Sequence, residues 1–318
     1  MAQNGLSLVL NFQPLSNMNT LSRRALMGVG GAAPTNVLKF TVNEDSQAGT
    51  ITLTIPSRLT EQECTNIQYS LNGKTWVTFE NHGQGLTITT PTLIAGDSVY
   101  FRGQGTLISK SNSVYSHFTT SSSTFKISAS GSIMSLIGNS DTLTDYAFYF
   151  LFQGCTSLTT APELPAITLA RNCYAAMFYS CTSLTTAPAL PATTLEDGCY
   201  SGMFYSCTSL TTAPALPATT LEDGCYTSMF RSCTSLTTAP ALPATTLKDN
   251  CYTGMFRSCA QLNKITMLAT DISATNCLKN WVEGVAATGT FIKNPAMTTL
   301  PIGNNGIPSG WTVEDYVG

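Results

Sequence analysis

The segment "CTSLTTAPALPATTLEDGCYSGMFYSC", residues 181–207, returns at 207–233 with three changes, Ser201/Thr227, Gly202/Ser228 and Tyr205/Arg231. The following copy again differs at three places, Glu222/Lys248, Gly224/Asn250 and Ser228/Gly254, while "TSLTTAPALPATTL" is identical throughout. A period held constant over units 156–181, 182–207, 208–233 and 234–259 is the mark of coils stacked along one axis. A fifth unit, 260–285, has drifted, and "DYAFYFLFQGC" just before the array reads as a degenerate first copy. One coil carries too few large apolar side chains (Leu184, Leu190, Leu195, Met203 and Phe204 in unit 182–207) to fold alone. Neighbouring coils must therefore cover one another, and the two ends need caps.

The spacing within a unit predicts a short helix. Cys199, Met203 and Cys207 stand at i, i+4 and i+8, Tyr200 and Phe204 form the adjoining pair, and Asp197 is placed to cap the first turn. Asp223 and Asp249 recur in the same role. "SLTTA" reads as a short strand that Pro214 and Pro217 end, because proline has no N–H for a ladder. The expected fold of residues 156–285 is an α/β solenoid of 26-residue units.

Ahead of the array, residues 36–128 predict a β-sandwich of immunoglobulin-like size. "VLKFTV", "TITLTI", "LTIT", "SVYFRG" and "TFKIS" are short and alternating, and "NIQYSL" and "KTWVTF" flank Asn72-Gly73, a hairpin signal in which both turn positions take positive φ. Residues 129–155 are expected to cap the array at its start and residues 286–318, which leave the repeat register, at its end. Residues 1–35, apolar and nearly uncharged, read as an attachment arm. Arg23-Arg24 imitates a twin-arginine export signal, but only about ten weakly apolar residues follow, so no standard export signal is expected.

Charged residues make up 10% of the 318, with a net charge of −3, which gives no electrostatic case for nucleic acid or an anionic membrane surface. No apolar run is long enough for a bilayer span. Ten of the eleven cysteines fall into two periodic sets, among them Cys181, Cys207, Cys233 and Cys259 in one and Cys199, Cys225 and Cys251 in the other. Disulfides, a metal and buried free thiols compete as readings. Packed helices would hold equivalent cysteines ~8–10 Å apart, too far for a bridge. No CxxC occurs, and His82 and His117 lie outside the array. A core ladder of small apolar thiols is the favoured reading. No cofactor is expected, and no catalytic constellation is visible: Glu61 and Glu63 read as loop residues, and neither histidine has a recognisable partner.

The pattern "MFxxCTSLTTAPxLPATTL" resembles the BspA-like leucine-rich repeats of gut-bacterial surface proteins and of the phages that infect those bacteria. "GTFIKNPAMTTLPIGNNGIPSGWTVED" looks like the C-terminal end of that family, and "IQYSLNGKTWVTF…DSVYFRG" is similar to its accompanying β-domain. The resemblance implies a leucine-rich-repeat-type solenoid and an adhesive rather than catalytic role. With no export signal it implies a virion protein: a head fibre of a crAss-like phage, anchored to capsid or other virion proteins through residues 1–35 and forming a dimer or trimer. A tail fibre or a bacterial surface adhesin are the alternatives. The positions that vary between copies place Tyr179, Tyr205, Arg231 and Arg257 in one column, a candidate contact for host glycan or protein. The repeated threonines are a second candidate surface.

Overall fold

The computed structural model describes residues 36–60, 63–79, 85–140 and 142–317. The expected arm at 1–35, Glu61 and His82 lie outside these. The first part is built from β1 (Leu38–Val42), β2 (Ile51–Ile55), β3 (Cys64–Ser70), β4 (Val77–Phe79) and β5 (Leu86–Thr89). It continues with β6 (Ser98–Gly105), β7 (Ser109–Ser111), β8 (Val114–Tyr115), β9 (His117–Thr120) and β10 (Ile127–Ser130). β1 and β2 bury every second residue, as the two-residue period of a strand dictates for "LKFTV" and "ITLTI". One sheet runs β10-β1-β6-β3-β4 and another β5-β2-β9, with antiparallel neighbours in both. Phe40 of β1, Phe101 of β6 and Phe118 of β9 meet between them, edge to face, with ring centres 5.1–5.9 Å apart.

The hairpin at Asn72-Gly73 is wider than a two-residue turn. β3 and β4 pair from Tyr69↔Val77 outward, and only Gly73 of the dipeptide has positive φ, at 71°. The Asn72 side chain decides this: its Oδ1 accepts from the Lys74 and Thr75 N–H groups, both at 2.8 Å, and holds a longer loop.

β11 (Leu158–Thr160) joins β10 in parallel, so the first sheet runs directly into the repeats. From there a file of isolated parallel bridges carries the ladder, Thr160↔Thr186↔Thr212↔Thr238↔Lys264, with further bridges such as Thr168↔Thr194 and Leu242↔Met267 beside it. It broadens again into β12 (Lys264–Met267), β13 (Thr290–Lys293) and β14 (Thr312–Asp315), all parallel. Lys264 faces Thr290 and Thr290 faces Thr312, so the repeat offset persists one step into the terminal segment and then shortens.

The expected α/β solenoid is not what forms. Among the described residues there is no α-helix, and the only helical element is a 3-10 turn at Ile133–Ile137. Apart from that turn, the described residues are strands, turns and irregular backbone. Where the helix was expected, the backbone is a ribbon of overlapping turns. Cys199, Ser201, Met203, Tyr205 and Cys207 donate their N–H to the carbonyl three residues back. Between them Tyr200, Gly202, Phe204 and Ser206 donate to the next coil, to Cys225, Thr227, Met229 and Arg231 at 2.7–3.1 Å. The physical reason lies in every fourth residue. Gly198, Gly202 and Ser206 take φ of about 60°, as do Gly224, Ser228 and Ser232, and Asn250, Gly254 and Ser258. A left-handed residue breaks an α-helix, and glycine and asparagine reach that region at little cost. The apolar spacing of four that imitated a helix is the period of this ribbon.

Aromatic rings stack through the core in two files. Phe148, Tyr174, Tyr200, Tyr226 and Tyr252 follow one another at 5.8–6.1 Å. Phe118, Phe152, Phe178, Phe204, Phe230 and Phe256 do so at 5.4–5.8 Å. Trp281 closes both, 6.3 Å from Tyr252 and 6.1 Å from Phe256, and its Nε1 donates to the Gly306 carbonyl.

Candidate ligand-binding surface

The ribbon turns one residue in each coil outward at the same height, and Tyr179, Tyr205, Arg231, Arg257 and Glu283 occupy that position, all half-buried. Tyr179 and Tyr205 meet edge to face at 4.7 Å, and the Arg231 guanidinium lies 5.1 Å over the Tyr205 ring. Arg257 is tied to Glu283, with Nε 3.0 Å from Oε2 and Nη2 3.2 Å from Oε1. The structure thus brings together the four residues that the variable positions singled out. It adds Glu283, which follows Arg257 by one period and was within reach of the same arithmetic. Arg231 differs from Arg257: its Nε is buried and has no hydrogen-bond partner, and no carboxylate pairs with it among the described residues.

The cysteine ladders lie behind this surface. All eleven cysteines are buried and unpaired. The helix-spacing argument against disulfides does not apply, because coils joined by backbone hydrogen bonds sit at strand spacing, roughly 4.8 Å. The thiols are instead engaged as donors. Cys181, Cys207, Cys233 and Cys259 reach the carbonyls of Phe152, Phe178, Phe204 and Phe230 in the preceding coil, with Sγ to O distances of 2.9–3.1 Å. Burial pushes the Cys199, Cys251 and Cys259 thiols up to about 12 and that of Cys225 well above its ordinary range. These are poor nucleophiles, since the thiolate is the reactive form.

The repeated aspartates do not cap helices. Asp249 Oδ1 accepts from the Thr275 N–H at 2.6 Å and Asp145 Oδ1 from the Arg171 N–H at 3.1 Å, each one full period ahead. The Asp197 and Asp223 carbonyls accept from Asn172 and Gly198. The Asp145 and Asp249 carboxylates thus fasten one coil to the next. Glu63 is held below the usual carboxylate range, first by Lys110 at 2.7 Å and then by the Thr60 N–H. The second candidate surface carries Thr185/Thr186, Thr211/Thr212 and Thr237/Thr238, all exposed. Beside it lies a groove of about 360 Å³ lined by Pro188, Pro191, Pro214 and Pro217.

Comparison with known proteins returned no match to a family model, to a curated protein or to a solved structure.

Proposed function

We propose that the chain is a non-enzymatic structural protein of a virion, a head fibre that displays its repeats for adhesion to a host surface or mucus. The carrying observation is the column Tyr179–Tyr205–Arg231–Arg257. Coils whose buried faces are nearly identical differ where side chains reach outward, and those side chains line up. Shape is held constant while the contact face varies, which suits a display scaffold. The BspA-like repeat pattern supports the same reading. In this proposal residues 1–35 bind capsid or other virion proteins, and two or three copies associate so that weak lateral contacts add through avidity. Surface adhesion needs no cofactor, and the Asp145 and Asp249 carboxylates are engaged with backbone N–H groups rather than paired across a cleft.

Immunogold labelling with antibody against residues 156–285, on phage particles and on uninfected host cells, tests this. Gold on capsids is the expected result. Gold at the tail moves the proposal to a tail adhesin. Gold on uninfected envelopes alone overturns it in favour of a bacterial surface adhesin.

A further inference from the structure

The column does not stop at the first coil. Tyr179 lies 6.2 Å from Phe150, which touches Tyr149 at 4.2 Å and Tyr115 of β8 at 5.0 Å. Tyr115, Tyr149, Phe150, Tyr179 and Tyr205 therefore form an unbroken file of half-buried rings, from the β-domain onto the stack, with Arg231 at its far end. Among the described residues three buried side-chain polar atoms lack a hydrogen-bond partner. Two of them belong to this file: Arg231 Nε at one end and Nδ1 of His117, whose ring is 6.1 Å from Tyr115, at the other.

We propose that this file is a binding site for an extended acidic glycan, whose sugar rings lie along the aromatic side chains and whose carboxylate or sulfate pairs with Arg231. The inference rests on the adhesive reading above and names its ligand class. The file is one side chain wide and advances with the coils, at roughly the 4.8 Å spacing of paired strands. That geometry suits a chain with its own repeat better than a compact protein epitope. Half-buried rings offer C–H-binding faces, while Ser180, Ser206 and Ser232 recur beside them, also half-buried, as hydroxyl partners. None of the exposed large apolar side chains (Val77, Ile167, Ile302, Val313, Tyr316 and Val317) belongs to the file. The charge preference comes from the contrast between the two arginines. Glu283 neutralises Arg257, whereas no carboxylate pairs with Arg231 among the described residues, which leaves its positive charge for a ligand anion.

The test is an array of neutral and uronic- or sialic-acid-bearing oligosaccharides, probed with the full chain and three variants, each checked for an unchanged urea midpoint. The full chain is expected to retain acidic members. Tyr179→Ala/Tyr205→Ala should weaken retention of every bound member by at least about tenfold, the scale of one good contact. Arg231→Gln should remove the preference for acidic members while leaving weak binding to neutral ones. Glu283→Gln, which frees Arg257, should strengthen acidic binding several-fold. No retained glycan, or equal retention by all variants, overturns the proposal. Host-cell adhesion run alongside separates the two ideas. Adhesion that survives periodate and is lost to protease leaves the adhesive reading standing and transfers the ligand to protein; no adhesion at all removes both.

Discussion

Gly202→Ala discriminates between the turn ribbon and a helix by its sign. Gly202 has φ of 61°, and a Cβ there meets only the Ala176 Cβ, at 3.9 Å, so sterics contribute nothing. The effect is that of the backbone alone. A non-glycine residue in the left-handed region costs about 1–2 kcal/mol, and alanine recovers roughly 0.5–1 kcal/mol by restricting the unfolded chain. The net expectation is destabilisation by about 0.5–1 kcal/mol. In an α-helix interior the same change stabilises by about 1 kcal/mol, because alanine is the better helix former. The protein contains its own reverse control, since Ala176 holds the equivalent place one coil earlier at φ of 52°. Ala176→Gly is expected to raise stability by a similar amount. Equilibrium urea unfolding, followed by near-ultraviolet circular dichroism of the stacked tyrosines, reads both changes. A higher midpoint for Gly202→Ala with a lower one for Ala176→Gly refutes the ribbon.

Two further outcomes follow from the core. Burial raises the Cys155, Cys199, Cys251 and Cys259 thiols from 9.0 to about 12, and Cys181, Cys207, Cys225 and Cys233 well above 9.0. The unfolded chain loses these protons first, so stability is complete below about pH 9 and falls above it, by roughly 1.4 kcal/mol per pH unit for each thiol. Circular dichroism during alkaline titration should show cooperative unfolding between about pH 9 and 11; an intact stack beyond that range contradicts the burial of the thiols. Deleting residues 208–233, one full period, should leave a folded, shorter protein because the new junction repeats an existing one, whereas deleting half a period should not. Equal melting of the two deletions contradicts the register.

The period, the stacking and the column were legible because each follows from counting: one period carries Thr186 to Thr212 as a bridge and Tyr179 to Tyr205 as a ring contact. The local conformation does not follow from counting. Cys199, Met203 and Cys207 at steps of four satisfy a helical stripe and a four-residue turn ribbon equally, and apolar positions do not separate them. The discriminating residues were the others: Gly198, Gly202 and Ser206, or Asn250, Gly254 and Ser258, place poor helix formers at every fourth position, where positive φ is needed. The link between β-domain and stack was not legible, because it depends on β10 accepting β11 in parallel across the intervening segment 131–157. The pairing of Arg257 with Glu283 was legible in principle, but unit 260–285 has drifted far enough to hide its alignment.

The way the coils are joined also bears on mechanical load. Their backbone hydrogen bonds point along the stack, from Tyr174 to Cys199, from Tyr200 to Cys225 and onward, and the aromatic files follow the same line from Phe118 to Trp281. A pull from end to end stretches one coil junction in series with every other, so the weakest junction yields first and its neighbours hold. Each release frees one coil, roughly 90 Å of extended chain, while leaving the remaining coils able to close again. A stack loaded from end to end takes up a sudden pull by lengthening in discrete steps, and can recoil when the pull subsides.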